Sequence, residues 1–308
     1  MKKTCRILVA GQSGMVGSAI VRKLERNGYE NIVRYDRNHV NFLDQEKTYD
    51  LISTVRPDFV FVCAARVGGI EANNTYRGNF IFENLQMQLN LIEGARRANV
   101  RRLMFLGSSC IYPRNCPQPI KESYLLSGPL EVTNEPYAIA KIAGIKLAEA
   151  YSSQYGLNYF SVMPTNLYGP NDNYDLMGSH VVPALLRKAH EAKINCCKSM
   201  LVWGSGAVRR EFLYVDDLAD GCVFLMENEY CGSPVNIGTG LDVTISELAA
   251  LVAQTVGFRG SIEFDPSMPD GTPRKLLDIS RMTSMGWTAQ VKLADGILRT
   301  YSTAPFFN

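Results

Sequence analysis

The chain has 308 residues, of which 46% are hydrophobic. This length can bury one large core, or a core with a smaller lobe beside it. Its 32 basic and 30 acidic residues give a formal net charge of +2, so the composition gives no reason to expect nucleic acid as a partner. An anionic substrate would therefore have to be bound by a few well-placed cations.

The cysteines and the N-terminal residues indicate a compartment. The eight cysteines are scattered and show no metal-ligand spacing, which favours reduced thiols and predicts no metal site. The first residues run straight into a strand pattern, without the apolar segment of a signal peptide. No apolar run approaches the ~18 residues of a membrane span. We therefore expect a cytoplasmic protein that does not enter a membrane.

The first half of the chain alternates strand patterns with helix patterns. Strands are predicted at 6–10, 31–35, 58–63, 102–106 and 159–163, and helices at 15–27, 79–99 and 137–155. The segment 58–63 is apolar throughout, as expected for a strand that is covered on both faces. This alternation predicts a parallel sheet with right-handed crossovers.

After Pro164 the loops lengthen, and short helices are predicted at about 181–192, 215–227 and 245–256. We expect an α/β fold, a Rossmann-type doubly wound parallel sheet with a smaller C-terminal α/β substrate lobe. Residues 1–164, with returning segments near 205–240, would form the dinucleotide-binding domain. Residues 165–308 would mainly form the substrate-binding lobe at the carboxyl edge of the sheet.

A glycine-rich turn follows the first predicted strand. Its sequence is Gly11-Gln12-Ser13-Gly14-Met15-Val16-Gly17, and a helix pattern comes next. In a βαβ unit the first glycine permits the tight turn, the second lets the backbone approach a pyrophosphate, and the third lets helix and strand pack closely. The helix N-terminus supplies N–H groups for phosphates. A plain glycine turn is the alternative, but this position in a βαβ unit favours a dinucleotide site.

Ser108, Tyr137 and Lys141 indicate chemistry at a carbonyl carbon. Ser108 follows a buried strand, while Tyr137 and Lys141 share one helix face because they are four positions apart. A free tyrosine has a pKa near ~10, and a neighbouring lysine cation favours its phenolate, which helps it act as an acid or base. Ser108 would bond the substrate oxygen and Lys141 the nicotinamide ribose. Tyr-x-x-x-Lys is common by chance, but with the glycine turn and the serine it predicts a nicotinamide-dependent enzyme.

Several longer stretches match the motifs of one enzyme family. They are Ala64-Ala-Arg-Val-Gly-Gly-Ile70, Gly107-Ser-Ser-Cys-Ile-Tyr-Pro113, Thr133-Asn-Glu-Pro-Tyr-Ala-Ile-Ala-Lys-Ile-Ala-Gly144, Met163-Pro-Thr-Asn-Leu-Tyr-Gly-Pro170, Ser179-His-Val-Val-Pro-Ala-Leu-Leu-Arg187, Trp203-Gly-Ser-Gly206, Arg210-Glu-Phe-Leu213 and Pro269-Asp-Gly-Thr-Pro-Arg-Lys275. The chain resembles the extended short-chain dehydrogenase/reductase superfamily and, within it, the GDP-L-fucose synthases, which are GDP-4-keto-6-deoxymannose 3,5-epimerase/4-reductases. The resemblance runs from the first strand to about Trp287.

The resemblance implies two stages of chemistry at one ketone. The C4 ketone is flanked by C3 and C5, so one site that stabilises an enolate acidifies both carbons. Ser108 and Tyr137 would bind the ketone oxygen. Inversion needs a base and an acid, and the resemblance assigns Cys110 and His180 to these roles; without it, an inert thiol and a surface histidine are the commoner readings. NADPH-dependent reduction of C4 would follow, with Tyr137 protonating the oxygen.

The resemblance also implies binding residues. Arg and Lys suit a diphosphate and Trp covers a flat ring, and the residues assigned to the nucleotide end of a GDP-sugar are Lys188, Trp203, Arg210 and Asp270. Besides the glycine turn, the implied cofactor contacts are Leu106, Gly107, Ser109, Lys141, Pro164, Asn166, Leu167 and His180.

The choice between NAD and NADP depends on the end of the second predicted strand. Asp36 stands where an acid would bond the ribose 2′-hydroxyl of NAD, whereas Arg37 can pair with the 2′-phosphate of NADP. The family often carries a basic residue where this chain has Ser13, and it lacks an acid at the position of Asp36. Both changes weaken the grip on a 2′-phosphate. We expect NADP because Arg37 remains.

Alternatives within and outside the superfamily stay open. Dehydratases typically place an acidic pair after the catalytic Ser or Thr, where this chain has Ser109 and Cys110, so a dehydratase or 4-epimerase is disfavoured. A non-catalytic dinucleotide-binding regulator is disfavoured because such proteins commonly lose the Tyr or the Lys. A nucleotide-sugar 4-reductase, or an epimerase/reductase for another GDP-deoxysugar, is not distinguished by these motifs.

The resemblance further implies a homodimer. In the family two long helices of each subunit pack together, and the helices predicted at 79–99 and 137–155 fit that role. Outward apolar residues on these helices could equally cover the chain's own core.

Overall fold

The computed structural model of the chain describes residues 1–35, 40–176, 178–268 and 270–307. Its strands, in chain order, are β1 (Ile7–Ala10), β2 (Phe59–Val62), β3 (Arg102–Leu106), β4 (Asn158–Pro164), β5 (Asn166–Tyr168), β6 (Ser199–Trp203), β7 (Arg209–Tyr214), β8 (Val235–Ile237), β9 (Asp242–Thr244), β10 (Ser261–Asp265) and β11 (Arg274–Lys275). Its helices are α1 (Met15–Arg26), α2 (Gln45–Val55), α3 (Ile70–Thr75), α4 (Arg77–Arg97), α5 (Glu135–Tyr155), α6 (Val181–Ile194), α7 (Val215–Glu227), α8 (Ile245–Val256), α9 (Ser280–Ser284) and α10 (Leu293–Ser302).

The central sheet is parallel and has the strand order β1-β2-β3-β4-β8. Ile32 adds a single parallel bridge on the outer edge of β1. The chain therefore leaves β1 in one direction and returns to β2 on its other side, so the strand order reverses beside β1. Open α/β sheets bind ligands in the crevice at the carboxyl ends of the strands where this reversal occurs. The predicted Rossmann-type α/β fold is confirmed.

Alternate residues of each central strand face two separate cores. In β1, Ile7 and Val9 join the core formed with α1 and α7, whereas Leu8 and Ala10 join the core formed with α2, α4 and α5. All four side chains are fully buried. Apolar residues on both faces explain why these strands are apolar throughout rather than alternating with polar residues.

Two local predictions differ from the structure. The strand predicted at 31–35 is reduced to the bridge at Ile32, because Tyr35 is engaged elsewhere: its hydroxyl accepts from the Gly11 N–H at 2.8 Å and its carbonyl accepts from the Gln12 amide at 3.0 Å. Helix α2 was not predicted, although Asp44 caps its N-terminus by accepting from the Lys47 N–H at 3.1 Å.

A third core lies in the second half of the chain. It combines α6, α8 and α10 with a sheet in which β7 pairs with β5, β9 and β11, and with the β6–β10 pair. Helix α7 and strand β8 return to the central sheet, where α7 packs on α1. None of the described helices is long and apolar enough to cross a membrane.

Candidate active site

The glycine turn lies at the point where the strand order reverses. Gly11 has a φ of +90°, and a Cβ there would lie 2.8 Å from the Ala64 backbone nitrogen. A Cβ on Gly17 would lie 2.0 Å from the Gly11 carbonyl oxygen, so the helix packs against the turn only without a side chain. The Gly14 N–H donates to the Gly11 carbonyl at 3.0 Å and closes the turn.

The N-terminus of α1 fits a dinucleotide phosphate. Its N-cap is Gly14, which provides no side-chain cap, and its first turn contains no acidic residue. Met15 and Val16 pack on the core beneath, and the side-chain oxygen of Gln12 is buried without a hydrogen-bond partner. The backbone N–H groups and the positive end of the helix dipole can therefore bind an anion. Ser13 completes the turn, whereas Asp36 and Arg37 lie outside the described residues.

Ser108 and Tyr137 meet at the carboxyl end of β3. Ser108 follows Gly107 in extended backbone and caps the short 3-10 turn Ser109–Ile111. Its side chain interacts with the Tyr137 hydroxyl, and the Tyr137 ring packs edge-on against Phe80 with centroids 6.3 Å apart. Burial raises the pKa of Tyr137, Cys110 adds to this effect, and the Ser108 side chain opposes it. The hydroxyl is therefore protonated at neutral pH and is arranged as a proton donor.

Lys141 lies one turn further along α5 and is only 2% exposed. Its ammonium donates to the Leu106 carbonyl at 2.7 Å and lies 5.8 Å from the centroid of the Tyr137 ring. Burial lowers the pKa of Lys141 to about 8, while Cys110 and Cys63 oppose this effect. The predicted lowering of the tyrosine pKa by the lysine is not seen, because burial raises the pKa of Tyr137.

Cys110 lies inside the 3-10 turn and is 9% exposed. Its N–H donates to the Ser108 hydroxyl at 3.4 Å, so both side chains belong to one rigid turn at the strand end. Burial raises the pKa of the Cys110 thiol, and Lys275, Ser108 and Lys141 lower it. The net effect raises the pKa, so the thiol form is favoured, and these three groups limit the rise.

His180 is the N-cap of α6 and makes no capping hydrogen bond with its side chain. The adjoining Gly178 carbonyl accepts from the Gly69 N–H at 2.9 Å, which joins this segment to the loop after β2. Desolvation of the ring lowers the pKa of His180 although the residue keeps solvent exposure, and the Lys275 cation adds to the effect. A neutral imidazole is therefore favoured near neutral pH.

Lys275 is the cation that sequence reasoning missed. It interacts electrostatically with both Cys110 and His180, and β11 places it opposite Arg210 in the parallel register. Burial lowers the pKa of Lys275, while Cys110 opposes this effect. The polar sequence Pro-Arg-Lys is typical of a surface loop. The one sequence feature that could have identified Lys275 is that it ends a stretch matching the family motifs.

The predicted nucleotide-binding residues form two contacting pairs. The Lys188 ammonium lies 4.8 Å from the centroid of the Trp203 ring and donates to the Leu201 carbonyl at 3.1 Å. The Arg210 guanidinium donates to the Asp270 carbonyl at 3.0 Å.

The two pairs are joined by the turn after β6. The Ser205 N–H, two residues beyond Trp203, donates to the Asp270 carboxylate at 2.8 Å. Trp203 keeps 41% of its surface exposed. Together the pairs present two cations and an open aromatic face, a combination that suits a nucleoside diphosphate.

The predicted nicotinamide-pocket residues follow β4. Pro164 ends this strand opposite Ile237, and Asn166 and Leu167 lie in β5. The Asn166 side-chain amide donates to the Glu211 carbonyl at 2.8 Å. These residues therefore lie between the carboxyl end of β4 and strand β7.

Comparison with known proteins agrees with this geometry. The model of the NAD dependent epimerase/dehydratase family matches residues 7–238. The putative GDP-L-fucose synthase 2 of Arabidopsis thaliana is 54% identical over 98% of this chain and 92% of its own length. The GDP-L-fucose synthase of Escherichia coli (strain K12) is 50% identical over 96% of this chain and 95% of its own length.

A solved structure of a GDP-sugar reductase has the same fold as this chain. The GDP-mannoheptose C4 reductase of Campylobacter jejuni, with NADP bound, is 37% identical and superposes with a TM-score of 0.90 over 98% of this chain and 99% of its own. The family match covers most of the chain, and the two curated relatives match nearly its whole length. The chain therefore belongs to the NAD dependent epimerase/dehydratase family and, within it, to the GDP-L-fucose synthases.

Proposed function

We propose that this enzyme converts GDP-4-keto-6-deoxy-D-mannose to GDP-L-fucose by epimerisation at C3 and C5 followed by reduction at C4. The observation that carries the proposal is that Lys275 interacts electrostatically with both Cys110 and His180, while Ser108 caps the turn that contains Cys110. Two sets of groups thus belong to one site, which we call the cleft. Ser108 and Tyr137 can bind one ketone oxygen, while Cys110 and His180 supply separate groups for proton removal and return. The full-length similarity to GDP-L-fucose synthases supports the same substrate.

The epimerisation stage uses the acidity of carbons next to the ketone. Hydrogen bonds from Ser108 and Tyr137 to the ketone oxygen stabilise the enolate that forms when C3 or C5 loses its proton. We assign Cys110 as the base, acting as its thiolate. Burial holds the pKa of this thiol above its usual value, and Lys275 and Lys141 limit the rise. His180 takes a proton from solvent and, as the imidazolium, returns it to the opposite face, which inverts the centre. Its lowered pKa makes this imidazolium a stronger acid.

The reduction stage requires a proton donor at the oxygen. NADP is the cofactor, and in its reduced form it supplies the two electrons and one hydrogen for C4. Tyr137, protonated because burial raises its pKa, gives its proton to the oxygen of C4. Lys141 is fixed by the Leu106 carbonyl and is placed to hold the nicotinamide ribose.

Binding of the two ligands divides between the two halves of the chain. We propose that residues 1–164, with the returning segments near 205–240, bind NADP, and that residues 165–308 mainly bind the GDP-sugar. In the first half the glycine turn holds the pyrophosphate. In the second half, Lys188 and Arg210 neutralise the diphosphate of the substrate, Trp203 covers a flat ring or sugar face, and Asp270 bonds ribose hydroxyls.

A deuterium experiment tests this function. The protein is incubated with GDP-4-keto-6-deoxymannose and NADPH in D2O, and the product sugar is identified by NMR. We expect GDP-L-fucose with deuterium at C3 and C5, together with oxidation of NADPH. A lower KM for NADH than for NADPH would contradict the assigned cofactor.

A nucleotide-sugar 4-reductase is the second candidate. The similarity to the solved C4 reductase of Campylobacter jejuni favours it. Reduction of the ketone without deuterium at C3 and C5 in the same experiment would assign the protein to this activity. A product with a different configuration, but with deuterium at both carbons, would indicate an epimerase/reductase for another GDP-deoxysugar.

We also propose that the enzyme is a homodimer through α4 and α5. Phe82 and Leu89, seven positions apart on α4, and Ile139 on α5 are exposed apolar side chains on two helices that pack together. Phe82→Glu should convert a sedimenting dimer to a monomer, whereas Leu298→Glu, at another exposed apolar position, should not. A monomeric wild-type protein would overturn this proposal.

A further inference from the structure

Glu211 is a fully buried acidic residue on β7, next to Arg210. Among the described residues no cation lies within ion-pair distance of its carboxylate. Instead one carboxylate oxygen accepts from the N–H groups of Thr239 at 2.6 Å and Gly240 at 2.7 Å. The other oxygen accepts from the Leu277 N–H at 3.0 Å. The charge of Glu211 is thus held by backbone groups of two distant segments.

The backbone of Glu211 is hydrogen-bonded to a further segment, at the start of β5. Its carbonyl accepts from the Asn166 amide at 2.8 Å and from the Thr165 hydroxyl at 3.2 Å. One residue therefore joins β7 to the start of β5, to the turn after β8 and to the chain after β11. These are the segments that carry the predicted nicotinamide pocket and Lys275.

A buried carboxylate is costly, and its cost has to be offset by its contacts. Burial raises the pKa of Glu211, and the N–H groups of Leu277, Gly240 and Thr239 oppose this effect in that order. Leu277 lies two residues after Lys275, which pairs with the neighbour of Glu211 in the strand register. The position of the carboxylate is therefore coupled to the position of this lysine.

We propose that Glu211 is a positioning residue that holds Lys275 at the cleft. This proposal rests on the function of Cys110 proposed above. It adds that Glu211, by fixing the position of Lys275, keeps this cation where it interacts with the Cys110 thiol. Within the described part of the chain, the charged or titratable groups that interact with Cys110 are Lys275 from β11 and Tyr137 and Lys141 from α5. Of these, only Lys275 depends on the carboxylate of Glu211.

Glu211→Gln is the matched variant. One oxygen of the glutamine can still accept from the turn after β8, but its NH2 group faces the Leu277 N–H, so the hydrogen bond to the chain after Lys275 is lost. Asp217→Ala is the control. Asp217 is a second buried carboxylate, 7% exposed, that accepts two backbone N–H groups, and it lies on α7 and does not contribute to the pKa of Cys110.

The measurement is the pH titration of the Cys110 thiolate. Its ultraviolet absorbance is obtained by subtracting the spectrum of the same protein carrying Cys110→Ser. In Glu211→Gln we expect the midpoint to move upward by about half a pH unit or more, because a displaced lysine favours the thiolate less. Lys275→Met should give a larger shift in the same direction, and Asp217→Ala should leave the midpoint unchanged while lowering the melting temperature.

Two results would overturn the proposal. One is an unchanged midpoint in Glu211→Gln, and the other is an equal shift in Asp217→Ala, which would reflect general destabilisation. If Glu211→Gln does not fold, Glu211→Asp, which keeps the charge on a shorter side chain, takes its place with the same expected direction. The titration does not depend on turnover, so failure of the wild-type protein to make GDP-L-fucose would count against the proposed function alone.

Discussion

On the sheet side of the cleft, Ser108, Tyr137 and Lys141 come from two neighbouring elements, the end of β3 and the start of α5. On the lobe side, His180, Arg210 and Lys275 come from α6, β7 and β11, which are far apart in the chain. The first group is fixed by strand and helix packing within one core. The second is fixed by the pairing of β11 with β7 and by hydrogen bonds from these strands to neighbouring loops.

The two sides of the site are held in position by different interactions. The hydrogen bond from Lys141 to the Leu106 carbonyl lies inside the central core, so the sheet side is held wherever that core is folded. The lobe side depends on contacts such as those of Asp270 and Glu211. Changes on the sheet side should therefore affect chemistry. On the lobe side, changes at Arg210 and Lys275 should affect binding and tuning, while His180 is the lobe residue that takes part in chemistry.

The assignment of chemistry to the sheet side depends most strongly on Tyr137. Tyr137→Phe should lower turnover by about 10³-fold, because the proton donor at the ketone oxygen is removed. NADPH oxidation measured with the GDP-ketosugar checks this. Tyr155→Phe, at an exposed position of the same helix, is the control and should keep wild-type turnover. A Tyr137→Phe enzyme with a tenth of wild-type turnover would refute the assignment.

Cys110 tests whether the two stages of the reaction are separate. Cys110→Ser should slow deuterium incorporation at C3 and C5 by about 10²-fold or more, since serine is a much weaker base, while reduction of the ketone continues. NMR of the product formed in D2O measures both. Cys231→Ser, at an exposed thiol, serves as the control. Undiminished exchange in Cys110→Ser would show that another group is the base.

Burial of Lys141 predicts a pH-dependent stability. Burial lowers the pKa of Lys141 from 10.5 to about 8, so between these pH values the unfolded chain binds more protons than the folded chain. Stability relative to Lys141→Met should therefore rise with pH across this window, by about 3 kcal/mol at most.

Urea unfolding of both proteins from pH 8 to pH 10.5 gives the difference. Lys146→Met, at an exposed lysine of the same helix, should show no such trend. A difference between wild type and Lys141→Met that stays constant with pH would mean that folding does not lower the pKa of Lys141.

Arg210 tests whether a residue on the lobe side contributes to substrate binding rather than to chemistry. Arg210→Met should raise the KM for the GDP-sugar about tenfold, because a charge-assisted contact to the diphosphate is lost, and should leave kcat within about twofold. Steady-state kinetics with varied substrate measure both constants. Arg259→Met, at an exposed loop position, should change neither. A fall in kcat at unchanged KM would place Arg210 with the chemistry instead.

The sheet side was largely predictable because its signals are local. The strands at β2 and β3 are short apolar runs, and α5 carries Tyr137 and Lys141 at helical spacing, so periodicity alone indicates them. The segment 31–35 was the exception, since Tyr35 turns its polar groups to the glycine turn instead of continuing a ladder. Tertiary contact outweighed strand propensity there.

The lobe side was less predictable because its signals are not local. Lys275 reads as a surface lysine, and only the pairing of β11 with β7 brings it to the cleft. Glu211 reads as one charge in Arg-Arg-Glu, and its burial depends on backbone N–H groups from residues 239–277. No spacing rule links partners so far apart in the chain.

The two tryptophans of this chain provide a built-in optical readout of both regions. Trp203 is 41% exposed beside Lys188, so a guanine nucleotide that stacks there should quench its fluorescence. Trp287 is 5% exposed and donates to Asp220 at 2.8 Å, so its emission should shift to longer wavelength only when the central sheet unfolds. Trp203→Phe and Trp287→Phe would separate the two signals, which makes ligand titration and unfolding measurable in one unlabelled sample.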